Sequence, residues 1–382
     1  MSSRCRRATL ALCLAVCQSL AAAQPLKALG YLAWWLPDGW RNIALSELDR
    51  LLFFELKVDA SGAVVDRHGW PEQWQDLQTE AERQQVPIDL TLTLFDPATF
   101  NALFTSPPAM QRLLKESLEL VDSKNVAGIQ LDFEIYESAS AVAIDRYRGF
   151  VKELSQRLHQ SSPTKSLSIF FPAGGQSPLY DAGTLDSLDL VMMQSYDSHY
   201  RSSKNAGPVA PLFGADVLTW QSAAAAGVLL DVPRDRLIFT FPLYGYEWTV
   251  KNSQVRSPAI GQGVVTTFAP ISAQLLPSIQ TSISQRVQQY GAFHDPVSGS
   301  SYYKFKNAKG QWYEGWFEDW WSLGRKFDFL SQERFGGMAF FLLGYDQGQL
   351  VHYYLQRRGP KNIDALIQLI QPKLSSGSEI VQ

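Results

Sequence analysis

Apolar runs alternate with amphipathic stretches along most of this chain. Eight runs have the length and residue types of strands: 28–35, 51–58, 88–94, 128–133, 167–171, 188–194, 237–243 and 337–343. Several are continuous β-branched or aromatic segments, the pattern of strands buried on both faces of a parallel sheet. Between them, helical periodicity predicts helices at 71–83, 109–120, 141–159, 218–226, 322–332 and 363–370. Eight strands alternating with helices predict an α/β fold, a (β/α)8 TIM barrel. A doubly wound open sheet is the competing architecture. No strand, however, leads into a glycine-rich phosphate turn, because Gly174-Gly175 lacks the rest of that fingerprint. The rhythm breaks once, between the seventh strand and the helix near Ser322, where strand-like pieces recur at 263–268, 301–305 and 312–317. This interval predicts a small α+β insertion over 246–315, between strand 7 and helix 7, on the carboxyl-end face of the barrel.

Composition narrows the class. The 382 residues are 46% hydrophobic and 19% charged, which excludes disordered and collagen-like chains. A net charge of −3 leaves no basic footprint, so no nucleic-acid partner is expected. The 3 cysteines, Cys5, Cys13 and Cys17, all fall in a segment that reads as a secretory signal. Arg4, Arg6 and Arg7 precede an apolar run at 10–16, and Ala21-Ala22-Ala23 before Gln24 fits a cleavage site after Ala23. A periplasmic or secreted protein is therefore expected, with residues 1–23 removed and 24–382 forming the barrel. A lipoprotein signal ending at Cys17 is the alternative, disfavoured by the bulky Val16 before it. No later run approaches the roughly 20 apolar residues of a membrane span. Removing 1–23 leaves 31 Lys+Arg against 37 Asp+Glu, a net charge of −6, and no cysteine. Such a chain must rest on core packing rather than disulfides, and a monomer is expected.

The segment that carries chemistry is Gly128-Ile129-Gln130-Leu131-Asp132-Phe133-Glu134-Ile135-Tyr136. Residues two apart on a strand share a face, so Gln130, Asp132 and Glu134 point the same way, into the barrel at its carboxyl end. Burying two carboxylates side by side is costly unless one holds a proton, and such a pair splits its pKa values as general acid catalysis requires. The alternative is a strand end with two ordinary solvated acids. Glu55, at the second strand, reads either as a polar groove residue or as a strand-end acid, the latter being favoured. The five histidines, at 68, 159, 199, 294 and 352, show no metal-ligand spacing, so neither metal nor cofactor is expected. His199 lies just past Tyr196-Asp197, within reach of a substrate. No nucleophilic serine elbow is present.

Four segments in order resemble glycoside hydrolase family 18, the chitinase-type family. The stretch 127–134 resembles its D-x-x-D-x-D-x-E signature, with Ala127 and Gln130 replacing the first two acids. Met193-Gln194-Ser195-Tyr196-Asp197 resembles M-x-Y-D, Phe239–Gly245 the seventh-strand G-x-P-x-Y-G, and Gly336–Phe341 the eighth-strand G-G-x-x-x-W, with Phe341 in place of Trp. The resemblance implies a glycosidase acting on β-linked N-acetylglucosamine-containing polysaccharide, such as chitin, cell-wall glycan or exopolysaccharide. It also implies a mechanism without a protein nucleophile: the substrate's 2-acetamido oxygen attacks the anomeric carbon, with retention. By that resemblance Glu134 donates the proton, Asp132 orients the acetamido N–H, Tyr196 holds its carbonyl and Asp197 helps close the pocket. Gln130, Gln194, Tyr244 and Phe341 are expected around the sugar. Trp34, Trp35 and Trp248 are expected as stacking aromatics along the cleft.

The departures carry expectations of their own. Gln130 in place of an acid predicts a lower pKa for Asp132 and a shifted pH optimum. Phe341 in place of Trp predicts weaker stacking at the reacting sugar. A carbohydrate-binding protein without catalysis is the alternative function, and the retained Glu134 speaks for the enzyme.

Overall fold

The apolar runs become the staves of a closed barrel. The computed structural model describes residues 25–359 except 124, 173–176, 273, 278 and 280. The expected leader 1–23, the Gly174-Gly175 turn and the expected helix 363–370 thus lie outside the described residues. In chain order the strands are β1 (Lys27–Ala33), β2 (Arg50–Val58), β3 (Val64–Asp66), β4 (Ile88–Leu94), β5 (Val126–Phe133), β6 (Ser166–Phe171), β7 (Leu190–Met193) and β8 (Leu237–Pro242). They continue with β9 (Tyr244–Val250), β10 (Val264–Thr267), β11 (Phe293–Asp295), β12 (Ser300–Lys306), β13 (Trp312–Phe317) and β14 (Gly337–Phe341). Strands β1, β2, β4, β5, β6, β7, β8 and β14 pair in parallel, and β1 pairs with both β14 and β2, which closes the cylinder. β3 is an antiparallel annex on β2.

Burial explains the continuous runs. Every residue of β4 and of β8 is buried, one face against the barrel interior and the other against the helical ring. The closing seam needs a glycine: Gly337 has φ +148°, and a Cβ there would lie 2.2 Å from the Lys27 carbonyl oxygen. The ring contains Gln75–Arg83, Pro97–Thr105, Pro107–Val121, Ala141–Gln160, Trp220–Leu229, Trp320–Glu333 and Gln349–Arg358. Pro97–Thr105 and Gln349–Arg358 were not expected from periodicity. The first is announced instead by its start: the Asp96 carboxylate accepts from Thr99 N at 2.8 Å, and Pro97 opens the helix.

A second, five-stranded antiparallel sheet, in the order β10-β9-β13-β12-β11, rises from the carboxyl end of β8. Only Leu243 separates β8 from β9, so the chain passes straight from a barrel stave into this sheet. With the helix Ile283–Tyr290 it forms the α+β insertion, and the helix Trp320–Glu333 returns the chain to the barrel. Lys326, on that returning helix, donates to Glu318 at 2.5 Å and to the Gly299 carbonyl at 3.2 Å, tying the two parts together.

Candidate active site

Alternation along β5 sets the site. Asp132 is the last inward-facing residue of the strand, and Glu134 continues the same face one step beyond its end, with its N–H bonded to the Leu94 carbonyl at 3.1 Å. Both line a cavity of about 230 Å³ at the carboxyl end of the barrel. Tyr196 and Asp197 reach it from the loop after β7, together with Gln194. Tyr244 comes from the start of β9 and Phe341 from the end of β14. No described residue lining this cavity is basic.

The acids therefore face one another without a counter-ion. Burial pushes the Asp132 carboxyl well above the ordinary range, and the charges of Glu134 and Glu55 add to it. Burial also raises Glu134, opposed by a short hydrogen bond that its Oε2 accepts from the Tyr136 hydroxyl. Asp197 is pushed up to about 6 by burial, against hydrogen bonds from Tyr244 and Tyr246. The Tyr244 hydroxyl donates to Asp197 Oδ1 at 2.7 Å. Asp197 itself sits at φ +61°, a left-handed conformation that aspartate tolerates better than most residues. The Tyr196 phenol is raised by burial, then by Asp197 and Glu134, so it remains a neutral hydrogen-bond donor at neutral pH.

The floor is aromatic. Phe341 packs its ring against Tyr31 at 5.5 Å, Phe54 at 5.6 Å and Tyr196 at 5.8 Å between centroids. Tyr31, Phe54 and Phe170 line the cavity and were not singled out from the sequence. Their signal was the same inward alternation at strand ends that selected Asp132.

Several expectations need correction. Trp248 is fully buried in the insertion's sheet, where it pairs across β13 with Glu314 and packs beside Tyr246. An indole there fills the core of that sheet and does not reach a sugar. Gln130 lies one layer below the cavity, fully buried: its amide donates to the Tyr31 hydroxyl at 2.8 Å, and its oxygen accepts from Thr91 at 3.0 Å. With a neutral amide at 130, burial and the charges of Glu134 and Glu55 still raise the Asp132 carboxyl well above the ordinary range. Glu55 is not a solvated strand-end acid; it is buried, and its Oε2 accepts from the Thr93 hydroxyl at 2.8 Å. Two more tryptophans stand back from the cavity. Trp35 supports the wall, edge-on to Phe54 and bonded through Nε1 to the Tyr345 hydroxyl at 3.2 Å. Trp34 is 39% exposed and stacks on the His68 ring at 4.2 Å. His199 is turned to the Pro208 carbonyl at 3.1 Å. Among the described residues no group of three or more His, Cys, Asp or Glu could hold a metal, and no helix is long and apolar enough to cross a membrane.

With this geometry in place, comparison with known proteins identifies the family. Residues 73–346 match the sequence profile of glycosyl hydrolases family 18. The cortical fragment-lytic enzyme of Bacillus subtilis is 21% identical over 282 residues, covering 70% of this chain and 59% of that protein. Mouse chitotriosidase-1 is 24% identical over 305 residues, covering 72% of this chain and 61% of that protein. The chain thus spans about three fifths of the length of these curated relatives. Among solved structures, a Cycas revoluta family GH18 chitinase in complex with allosamidin superposes with a TM-score of 0.73 at 18% identity, over 87% of this chain and all of that one. The match to the profile spans well over half of the chain, two carboxylates stand at the carboxyl end of the fourth barrel strand, and the chain belongs to glycosyl hydrolases family 18.

Proposed function

We propose that this glycoside hydrolase is exported, acts as a monomer, and cleaves β-linked N-acetylglucosamine-containing glycans by substrate-assisted retaining catalysis. The observation that carries this reading is the placement of Glu134 and Asp132 on one face of β5, in a cavity without a cation. Glu134, raised by burial, holds the proton that the leaving glycosidic oxygen needs. Asp132, two residues back on the same face, stabilises the positive charge that develops as the acetamido group attacks. Tyr196 donates its hydroxyl to the acetamido carbonyl, and the Asp197–Tyr244 pair forms part of the wall. Phe341 presents its ring to the sugar face from the floor.

Two substrates compete: chitin, as the name chitotriosidase suggests for one relative, and cell-wall glycan, as cortical fragment-lytic enzyme suggests for another. Hydrolysis of N-acetylglucosamine oligomers and of purified cell wall, by wild type and by Glu134→Gln, decides between them. The expected result is cleavage by wild type only, with the product released in the retained anomeric form. Binding without cleavage by wild type would make the protein a lectin, and an inverted product would exclude the acetamido route.

A further inference from the structure

Asp132 has the least local support of the cavity acids. Its Oδ1 is buried with no hydrogen-bond partner among the described residues. Gln130, below it on the same face, is committed to Tyr31 and Thr91. A further acid comes to the level of Asp132 from the second barrel strand. The pairing of β2 with β4 shifts register between Phe54 and Leu56, and the residue so added is Glu55. A bulge of this kind breaks the alternation of faces, so a residue that would point outward turns in. Thr93 of β4, whose Cα partner on β5 is Asp132, donates its hydroxyl to Glu55 Oε2 at 2.8 Å. Glu55 and Asp132 therefore approach Thr93 from its two sides. The other oxygen of Glu55, Oε1, lies 3.7 Å from Lys57 Nζ and 3.9 Å from His68 Nε2. His68 Nδ1 is 3.3 Å from Asp66 Oδ1, and Trp34 covers the ring.

We propose that Glu55 is a positioning residue for the reaction: from β2 it supplies the negative charge that Gln130 does not supply from β5, and so keeps a proton on the Asp132–Glu134 pair. The proposal rests on the assignment of Glu134 and Asp132 made above. Like charges that share a water-poor site favour the protonated form, and the Glu55 charge adds to the rise at Asp132. The charged and titratable groups facing Glu55 are Lys57, His68 and Asp132, with Asp66 acting through His68 and Glu134 through Asp132.

The test is a carboxyl ¹³C NMR titration of the full chain, with Asp132→Asn and Glu134→Gln used to assign the resonances, alongside the pH profile of kcat/KM on N-acetylglucosamine oligomers. In Glu55→Gln the pair is expected to titrate about one pH unit lower than in wild type. The basic limb of the profile moves with it, KM changes little, and adding Gln130→Asp in the same chain moves both back. Lys57→Met, at a half-exposed position outside the cavity, strengthens the field of Glu55 and shifts the pair the other way, by a few tenths of a unit. That variant decides the matter if Glu55→Gln does not fold. Superimposable titrations in the variants and wild type overturn the proposal, as does a fall in kcat with the limb unmoved. A shifted titration in a protein that cuts no N-acetylglucosamine glycan sinks the proposed function while leaving the Glu55 field in place.

Discussion

Buried acids occur in two settings in this molecule, and the contrast separates architecture from chemistry. At the amino end of the barrel and in the insertion, each buried acid named here has a cation. Asp89 is bonded to Arg50, Glu318 to Lys326, Glu314 to Lys304 at 2.9 Å, and Glu247 to Arg286 through two hydrogen bonds of 2.7 and 2.9 Å. Burial raises Asp89 and Glu318 as well, but each has a cation and hydrogen bonds that oppose the rise and fix the geometry. At the carboxyl mouth Asp132, Glu134 and Asp197 share a cavity with no basic lining residue among those described. There the cost of burial is met by taking up protons, which leaves groups able to give a proton back. The fold holds its structural acids with partners and its reactive ones apart from them.

The largest effect that would break this contrast is at Glu134. Glu134→Gln keeps the shape and removes the transferable proton, so kcat on N-acetylglucosamine oligomers is expected to fall by roughly 10²–10⁴, with the folded circular dichroism spectrum retained. An activity within a few-fold of wild type would place the acid elsewhere. On the structural side, Lys326→Met leaves Glu318 buried without its cation and should cost about 3–5 kcal/mol in urea denaturation. A loss below about 1 kcal/mol would show that Glu318 simply takes a proton, as the mouth acids do.

Asp197 gives the opposite sign. Its carboxyl releases a proton near pH 6 in the folded protein and near pH 4 in the unfolded chain. Between those values the folded state holds more protons, so stability declines as pH rises through that window and stays reduced above it. Asp197→Asn should therefore stabilise the fold above about pH 6, by at most about 3 kcal/mol, with no gain below about pH 4. Equal gains at both ends would assign the effect to packing. The smallest effect concerns the floor. Phe341→Trp adds indole area facing the cavity and is expected to tighten oligomer binding by about 0.5–1.5 kcal/mol, read by calorimetry in the Glu134→Gln background. Weaker binding would mean that Tyr31 and Tyr196 leave no room for the larger ring.

Much of the barrel was legible from short-range pattern. The eight apolar runs match the eight staves to within a few residues, because strands covered on both faces need apolar side chains on both. The helix Pro97–Thr105 escaped because its nine residues are too few for periodicity to register clearly; its Asp96 cap and Pro97 were the readable signal. Gln349–Arg358 did carry the helical spacing in its buried residues Leu350, Val351, Tyr354 and Leu355, and its Gly348 start lacks the side-chain cap that marks a helix.

Local spacing along the chain specifies the stave order, the inward alternation that brings Asp132 and Glu134 to one face, and the family motifs at the strand ends. Each follows from spacing along one strand, which is local geometry. Tertiary structure decided everything that depends on a neighbouring strand. It buried Trp248 inside the insertion's sheet, set Gln130 beneath the cavity and drew Tyr31, Phe54 and Phe170 around it. It also turned Glu55 inward at a register shift that no periodicity along β2 reveals. A carboxylate's pKa depends on which charges and how much water surround it, and those are set by the packing of strands far apart in the chain.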